Sequence, residues 1–335
     1  MNLLVTGGAG FIASHFIDLV LKTTDWHVTI LDRFTYAANG LTRLKEIGAY
    51  DNPRVSIHVH DCSKPLGKCL EKEIGPVDYV LHMAAGTHVD NSILCPRDFV
   101  EANIFGTFEM LEYARRIPGL KKFLYFGTDE VFGPADVGQK FTEWDRYNSC
   151  NPYSATKAGG EELALAWANT YGVPVVITHT MNVIGERQHP EKFVPRVVRA
   201  VLAGKELQIH TDPKTGKPGS RHYLHCRDVA DGIMFLLTWD VPLREKYNLA
   251  ASVEVSNLDV ARAVAKVLNK PLVYKEVNPT DVRPGFDVRY GMSGAKMAGL
   301  GWRPKHSFEE NIRALVEWMV RPENLHWLKV GNSHE

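Results

Sequence analysis

Short apolar runs alternate with longer amphipathic stretches over the first half of the chain. Leu3–Thr6, Val28–Leu31, Val55–Val59, Tyr79–Leu81, Phe123–Phe126 and Val175–Thr178 each read as a short buried strand. Between them, Arg97–Ile117 and Ser154–Tyr171 carry apolar residues at helical spacing, among them Phe108, Leu111, Leu163 and Trp167, which read first as core. Alternation of strand and helix requires crossover connections. The expected fold is therefore α/β, a doubly wound parallel sheet covered on both faces. After about residue 180 the pattern changes. Pro190, Pro195, Pro213, Pro218, Pro279, Pro284 and Pro304 divide the rest into shorter pieces, and Thr211–Ser220 reads as an exposed loop. Tyr223–Cys226 and Tyr247–Leu249 are expected to return to the sheet, so a smaller C-terminal domain is interleaved with the first. The expected division is 1–179 plus about 223–251 against about 180–222 plus 252–330.

Bulk properties narrow the function classes. The chain has 335 residues, 44% hydrophobic and 23% charged, enough for one large or two modest cores. The 39 basic and 39 acidic residues cancel, which speaks against nucleic acid or a membrane surface as partner. No apolar run approaches a membrane span, and Asn2–Thr6 leads directly into glycines without a signal-peptide pattern. Five scattered cysteines without CxxC spacing fit a reducing, cytoplasmic setting.

The first strand runs into Thr6-Gly7-Gly8-Ala9-Gly10-Phe11-Ile12-Ala13, which matches G-x-G-x-x-A at Gly8, Gly10 and Ala13 and G-x-x-G-x-x-A from Gly7. Glycines there let the backbone approach a pyrophosphate at the N-terminus of the following helix. Asp32 ends the second strand, where a carboxylate can take ribose hydroxyls, and Asp61 ends the third, near an adenine. The order of strand, glycine turn, helix, strand and acid predicts a Rossmann sheet binding a dinucleotide. Asp32 favours NAD, since it repels a ribose phosphate, although Arg33 follows it.

Tyr153 and Lys157 form Y-x-x-x-K behind the helix-start signal Asn151-Pro152, one turn apart on the same face. An ammonium beside a phenol favours the phenolate, a general base for a sugar hydroxyl. Thr128-Asp129-Glu130 follows the strand Phe123–Phe126, at the carboxyl end of an open sheet where ligands bind. The threonine can hydrogen-bond the hydroxyl being oxidised, and two adjacent carboxyls can act as acid and base if their surroundings separate them.

On these residues the chain resembles the extended short-chain dehydrogenase/reductases, and within them the sugar-nucleotide 4,6-dehydratases that act on dTDP-glucose. The resemblance rests on the glycine turn, Leu31–Ala37, His82–Asp90, Asn103–Thr107, Gly127–Gly133, Pro152–Lys157, Pro190–Pro195, Arg221 and Arg283–Asp287. It implies that Gly7, Gly10, Phe11, Ile12, Asp32, Thr35, Asp61, Cys62, Ala84, Ala85, Thr87, Asn103, Tyr153 and Lys157 bind NAD. It implies that His88, Asp90, Thr128, Asn182, Glu191, Lys192, Arg221 and Arg283 bind a nucleotide-sugar. It implies that Tyr153, with Lys157 and Thr128, oxidises C4, that Glu130 moves the C5 proton, and that Asp129 protonates the departing 6-hydroxyl. It also implies a homodimer built on helices 97–117 and 154–171. Val183, Gly86, Phe286 and the long 211–220 loop depart from the family pattern, mostly near the nucleotide and sugar. UDP-glucose or a UDP-N-acetylhexosamine is therefore as admissible as dTDP-glucose.

Other readings remain. A 4-epimerase or a 5,6-dehydratase would use the same tyrosine, lysine and NAD, and a non-catalytic NAD-binding regulator would share the scaffold. His58-x-His60 and His222-x-x-His225 lack the partners of a closed zinc site, so no metal is expected. Lys214 and Lys217 read as solvated.

Overall fold

The apolar runs become the parallel strands β1 (Asn2–Thr6), β2 (His27–Asp32), β3 (Val55–Val59), β4 (Tyr79–His82), β5 (Lys122–Phe126) and β6 (Val175–Thr180). The computed structural model describes residues 1–212, 215–278 and 289–329. A seventh strand, Glu245–Leu249, lies along β6, and the sheet order is Glu245–Leu249, β6, β5, β4, β1, β2, β3. β1 pairs with both β2 and β4, so the chain reverses its direction of travel across the sheet there. The carboxyl ends of β1 and β4 mark the switch point, where such sheets bind ligands.

Alternation along the strands feeds two cores. Leu3 and Val5 of β1 pack with Phe16, Ile30 and Leu236 on one face, whereas Leu4 packs with Val80, Leu111, Phe123 and Ala164 on the other. A strand with a period of two, buried on both faces, needs apolar residues at every position, which is why β1 reads as a continuous run.

The helix Pro152–Tyr171 begins with a capping box between Asn151 and Ser154, has proline in its first turn, and ends at Gly172 in the left-handed region. The helical stretch expected over 97–117 is divided. Pro96–Val100 and Gly106–Ala114 are α-helical, and Glu101–Phe105 between them is a π-helical turn. An extra residue in a turn redirects side chains, and here it carries Asn103.

The expected return of Tyr223–Cys226 to the central sheet is corrected. Leu224–His225 instead pairs with Val183–Ile184 in a separate two-stranded parallel sheet, because Glu245–Leu249 already covers β6. Tyr247–Leu249 does join the central sheet. The later segments build their own core, where Val197, Val198, Leu258, Val264, Leu315 and Val316 meet between the helices Phe193–Ala203, Asn257–Leu268 and Phe308–Met319. The 211–220 stretch is tethered at its ends by the Thr211–Pro218 bridge, with Lys217 exposed; Lys214 lies outside the described residues.

Arg43 joins three segments around the crevice. It is fully buried. Its Nη1 donates to the carbonyls of Ala37 (2.7 Å) and Ala38 (2.9 Å) and, at 3.3 Å, of Ala9 in the glycine turn. Its Nε donates to the Arg187 carbonyl at 3.0 Å, and its guanidinium lies 5.0 Å from the Trp327 ring centroid. Burial and the Arg187 charge lower its pKa to about 10, so it stays charged at neutrality. Arg43→Met removes the donor to four carbonyls. We expect a stability loss of about 3 kcal/mol, read as a lower denaturation midpoint in urea; an unchanged midpoint would show that the clasp carries no load.

Candidate active site

The glycine turn is held against the end of β4. Gly7 has φ +68°, and a Cβ there would stand 2.8 Å from the Ala84 backbone. A Cβ on Gly10 would stand 2.9 Å from the Gly7 carbonyl oxygen. Gly10 is the N-cap of the helix Phe11–Thr23 and has no side chain to occupy the first helical amides. Those amides and the positive end of the helix dipole are thus left for an anion. Asp32 is buried behind the turn, its Oδ2 accepting from Ala9 N–H (3.0 Å) and its Oδ1 from Phe34 N–H (2.7 Å). Burial raises its pKa, and these two bonds partly offset the rise. Asp61 accepts from Ser63 N–H at 3.0 Å, and Arg33 faces it at 3.5 Å. Burial would raise the Asp61 pKa, but the Ser63 bonds and Arg33 outweigh it.

A cavity of about 670 Å³ runs from this turn to the ends of β5 and β6, a volume suited to a small-molecule ligand. Gly7, Gly10, Phe11, Ile12, Asp32, Thr35, Asp61, Cys62, Ala84, Ala85 and Thr87 line it, as do Thr128, Asp129, Glu130, Tyr153 and Lys157. His88, Asn182, Glu191 and Lys192 line it too. Glu191 lies 3.8 Å from His88, 3.5 Å from His189 and 3.8 Å from Lys192.

Asn103, Asp90 and Arg221 are not among the described residues that line this cavity. Asn103 is buried beneath the cavity wall, exchanging bonds with Gly86 N–H (2.8 Å) and the Gly86 carbonyl (3.2 Å) and donating to Thr156 Oγ1 (2.9 Å). The π-helical turn aims it at the loop rather than at the cavity. Asp90 is exposed in the first turn of Val89–Leu94. Arg221 is buried with its guanidinium 4.5 Å from the Tyr290 ring centroid, near enough to Asp129 for its charge to act there. Arg283 and the rest of 283–287 lie outside the described residues.

The catalytic candidates occupy an unusual electrostatic setting. Burial lowers the Lys157 pKa to about 7, with Glu161 acting in the opposite direction. Its Nζ donates to the Phe126 carbonyl at 2.7 Å and sits 4.3 Å from the Tyr125 ring centroid. Burial and then Glu130 push the Asp129 carboxyl up to about 7, while Arg221 and Thr128 pull it down. The Tyr153 phenol is also raised, by burial and by Glu130 and Asp129, with a Thr128 hydrogen bond lowering it. The expectation that the lysine sets the tyrosine pKa is thus revised. In the protein by itself, burial and two carboxyls dominate.

Sequence reading missed the parts that support this geometry. Met83 and Ala84 N–H both donate to Thr6 Oγ1, at 3.1 Å each, and Thr6 Oγ1 meets His82 Nδ1 at 2.8 Å. His82 Nε2 meets Thr107 Oγ1 at 3.2 Å, which donates to the Asn103 carbonyl at 2.7 Å. With its acceptor side taken, Thr6 donates to His82, so the imidazole proton lies on Nε2. Burial and Lys157 lower the His82 pKa to about 3, leaving it neutral. Phe99, edge-on to Tyr153 with centroids 6.4 Å apart, also lines the cavity. Its spacing within a helix had signalled core only.

The histidines of the declined metal patterns have protein partners. His58 Nδ1 lies 3.4 Å from Glu73, His222 Nδ1 lies 3.0 Å from the Ala251 carbonyl, and His225 Nε2 lies 3.5 Å from Glu186. His15, Glu186 and Cys226 do bring possible ligand atoms within 4.8 Å of one another. Glu186, however, is ion-paired with Arg227 at 2.5 Å, and Arg187 lies 3.3 Å from His15 Nδ1. Two guanidiniums make this a poor place for a cation.

Known proteins share this fold. The family profile for GDP-mannose 4,6 dehydratase matches residues 4–315. The chain is 37% identical to a dTDP-glucose 4,6-dehydratase of Haemophilus influenzae, over 96% of this chain and 98% of that one. A Streptomyces venezuelae dTDP-glucose 4,6-dehydratase solved with NAD superposes with TM-score 0.87 at 34% identity, covering 98% of this chain and all of the other. A UDP-glucose 4-epimerase of Thermus thermophilus, also solved with NAD, gives TM-score 0.83 at 28% identity, covering 95% of this chain and 98% of that one. With the fold, the glycine turn and the clustered Thr128, Asp129, Glu130, Tyr153 and Lys157 all in place, this chain belongs to the GDP-mannose 4,6 dehydratase family.

Proposed function

We propose that the protein is an NAD-dependent sugar-nucleotide 4,6-dehydratase. It converts an NDP-hexose of the dTDP- or UDP-glucose type to the NDP-4-keto-6-deoxyhexose by oxidation at C4, loss of water across C5 and C6, and reduction at C6. The observation that carries this reading is the raised pKa of Asp129 beside Glu130. The two neighbouring carboxyls line one cavity with Thr128, Tyr153 and Lys157, and burial together with Glu130 raises Asp129 to where it can serve as an acid. A 4-epimerization needs no such pair.

The residues fit the cofactor. The uncapped helix start beyond Gly10 suits a pyrophosphate, and Asp32 suits ribose hydroxyls. NAD would supply the hydride acceptor there. Tyr153 takes the proton of the 4-hydroxyl, and Thr128, already bonded to it, orients that exchange. Lys157 holds its ammonium one helical turn away. Glu130 takes the C5 proton made acidic by the 4-keto group and returns it to C5 when hydride reaches C6. Asp129, protonated below about pH 7, gives its proton to the departing 6-hydroxyl.

The site assignments above and the division into 1–179 plus about 223–251 and about 180–222 plus 252–330 belong to this proposal. So does a homodimer. Val100, Phe105 and Tyr171 are exposed on the two helical segments that resemble the family's dimer helices, and apolar side chains there favour burial against a second copy. A cytoplasmic location accords with five cysteines left as thiols. Among the described residues no helix is long and apolar enough to cross a membrane.

Tyr153→Phe should lower kcat by on the order of 10² to 10⁴ while the purified protein keeps its NAD, as read by absorbance of the released nucleotide. Full activity in that variant would remove the general base from the scheme. Glu130→Gln should oxidise the sugar and stop, so NADH absorbance accumulates without loss of water; normal turnover would sink its role at C5. Elimination in the wild type should fall as pH rises through about 7, because the acid form of Asp129 is lost in that direction. Asp129→Asn should slow water loss by on the order of 10² or more while oxidation proceeds, measured by single-turnover mass spectrometry.

A further inference from the structure

Behind the catalytic helix lies a buried charged cluster that the scheme above leaves unused. Glu161 sits one turn beyond Lys157 on Pro152–Tyr171 and is fully buried. Four groups from three other segments converge on it or its partners. Lys246, on the strand Glu245–Leu249, lies 3.0 Å from Glu161 Oε1. His179 of β6 brings Nε2 within 3.0 Å of Oε2, and its Nδ1 meets Asn248 Oδ1 at 2.8 Å. The Tyr147 hydroxyl donates to Glu161 Oε1 and accepts from Lys246 Nζ at 2.6 Å. Glu161 Oε2 reaches to 3.5 Å from where a Cβ on Gly127 would lie, directly before Thr128. The cluster therefore abuts the base of the active-site loop.

We propose that Glu161 is a positioning residue whose carboxylate keeps Lys157 in its ammonium form, with Lys246 setting how much of that negative charge Lys157 feels. The groups facing Lys157 support this. Tyr153 stands one turn before it, the Tyr125 ring lies under Nζ, and the Phe126 carbonyl accepts from it. His82 of β4 is neutral. Asp129 and Glu130 also line the cavity that Lys157 reaches, but among the described carboxylates Glu161, one turn beyond on the same helix, is the one whose charge acts on the ammonium. The Lys157 pKa agrees, with burial lowering it and Glu161 opposing. Burial alone would raise the Glu161 pKa, yet His179, Lys246 and Tyr147 hold it down at about 2, so the carboxylate stays ionised through the working range. On the far side of the pair, Lys246 also approaches Glu162 at 3.9 Å and the Trp144 ring at 4.5 Å.

The inference rests on the dehydratase reading only for its consequence in catalysis, because the coupling of Glu161 to Lys157 can be read directly. The experiment is NMR titration of the NAD-containing enzyme labelled at lysine Cε, with the Lys157 signal assigned through Lys157→Met. Glu161→Gln should move the Lys157 midpoint down by about one pH unit. Lys246→Met, which unmasks the carboxylate, should move it up. Opposite shifts are the signature, since a merely structural role would lower stability in both variants and move neither midpoint. The rate of NADH formation in single turnover, which precedes elimination, should shift its alkaline limb in the same two directions. If Glu161→Gln does not fold, Lys246→Met carries the test alone. A folded variant with an unchanged Lys157 midpoint overturns the proposal. Failure of the wild type to remove water from any sugar nucleotide would instead overturn the functional reading and leave the midpoint result standing.

Discussion

The site depends on how closely the first turn of the chain approaches the end of β4. Gly7, with φ +68°, lets the backbone lie where a Cβ would meet Ala84 at 2.8 Å. That contact is locked by Thr6, whose Oγ1 accepts from the Met83 and Ala84 amides and donates a hydrogen bond to His82 Nδ1. From His82 the bonding runs through Thr107 to the Asn103 carbonyl, and the Asn103 side chain continues it to Gly86 and Thr156. One ordered chain of hydrogen bonds thus ties the glycine turn to the helix carrying Tyr153 and Lys157. Its side chains, Thr6, His82, Asn103, Thr107 and Thr156, are buried and bonded, which is the condition under which a polar network rigidifies rather than weakens a core. The position of the reacting groups relative to the cofactor site follows from this chain.

Burial then sets the chemistry. Removing water from the cleft raises Asp129 to about 7 and lowers Lys157 to about 7, so an acid and an ammonium titrate close to the working pH. Neither shift needs an exotic partner. Each follows from taking a charged form out of water, adjusted by a neighbour (Glu130 for Asp129, Glu161 for Lys157). The same burial raises Tyr153, against what the lysine was expected to do. Thr128 is the neighbour that lowers it again, and the positive charge of a bound nicotinamide would act in the same direction.

Much of this was legible along the chain. The continuous apolar runs identify six strands because a parallel sheet buries both faces of each. The glycine turn and Thr128, Asp129, Glu130, Tyr153 and Lys157 stood out because strand ends and helix starts bracket them. Less legible were residues whose role depends on contacts distant in sequence. Arg43 looks like a surface helix residue until its carbonyl partners at Ala9, Ala38 and Arg187 are known. Asn103 fits a cofactor contact by resemblance, and nothing along the chain signals that its buried side chain bonds Gly86 and Thr156. Tyr223–Cys226 has the apolar character of a strand, and only the occupancy of the β6 edge by Glu245–Leu249 shows why it pairs elsewhere.

The fate of the hydrogen on C4 tests the central claim most directly. An NDP-glucose carrying deuterium at C4 would be turned over by the purified enzyme, and the product read by mass spectrometry and NMR. The account predicts loss of water with the deuterium transferred to C6 of a 4-keto-6-deoxy sugar. Deuterium returned to C4 without loss of water would contradict it and would make the protein an epimerase.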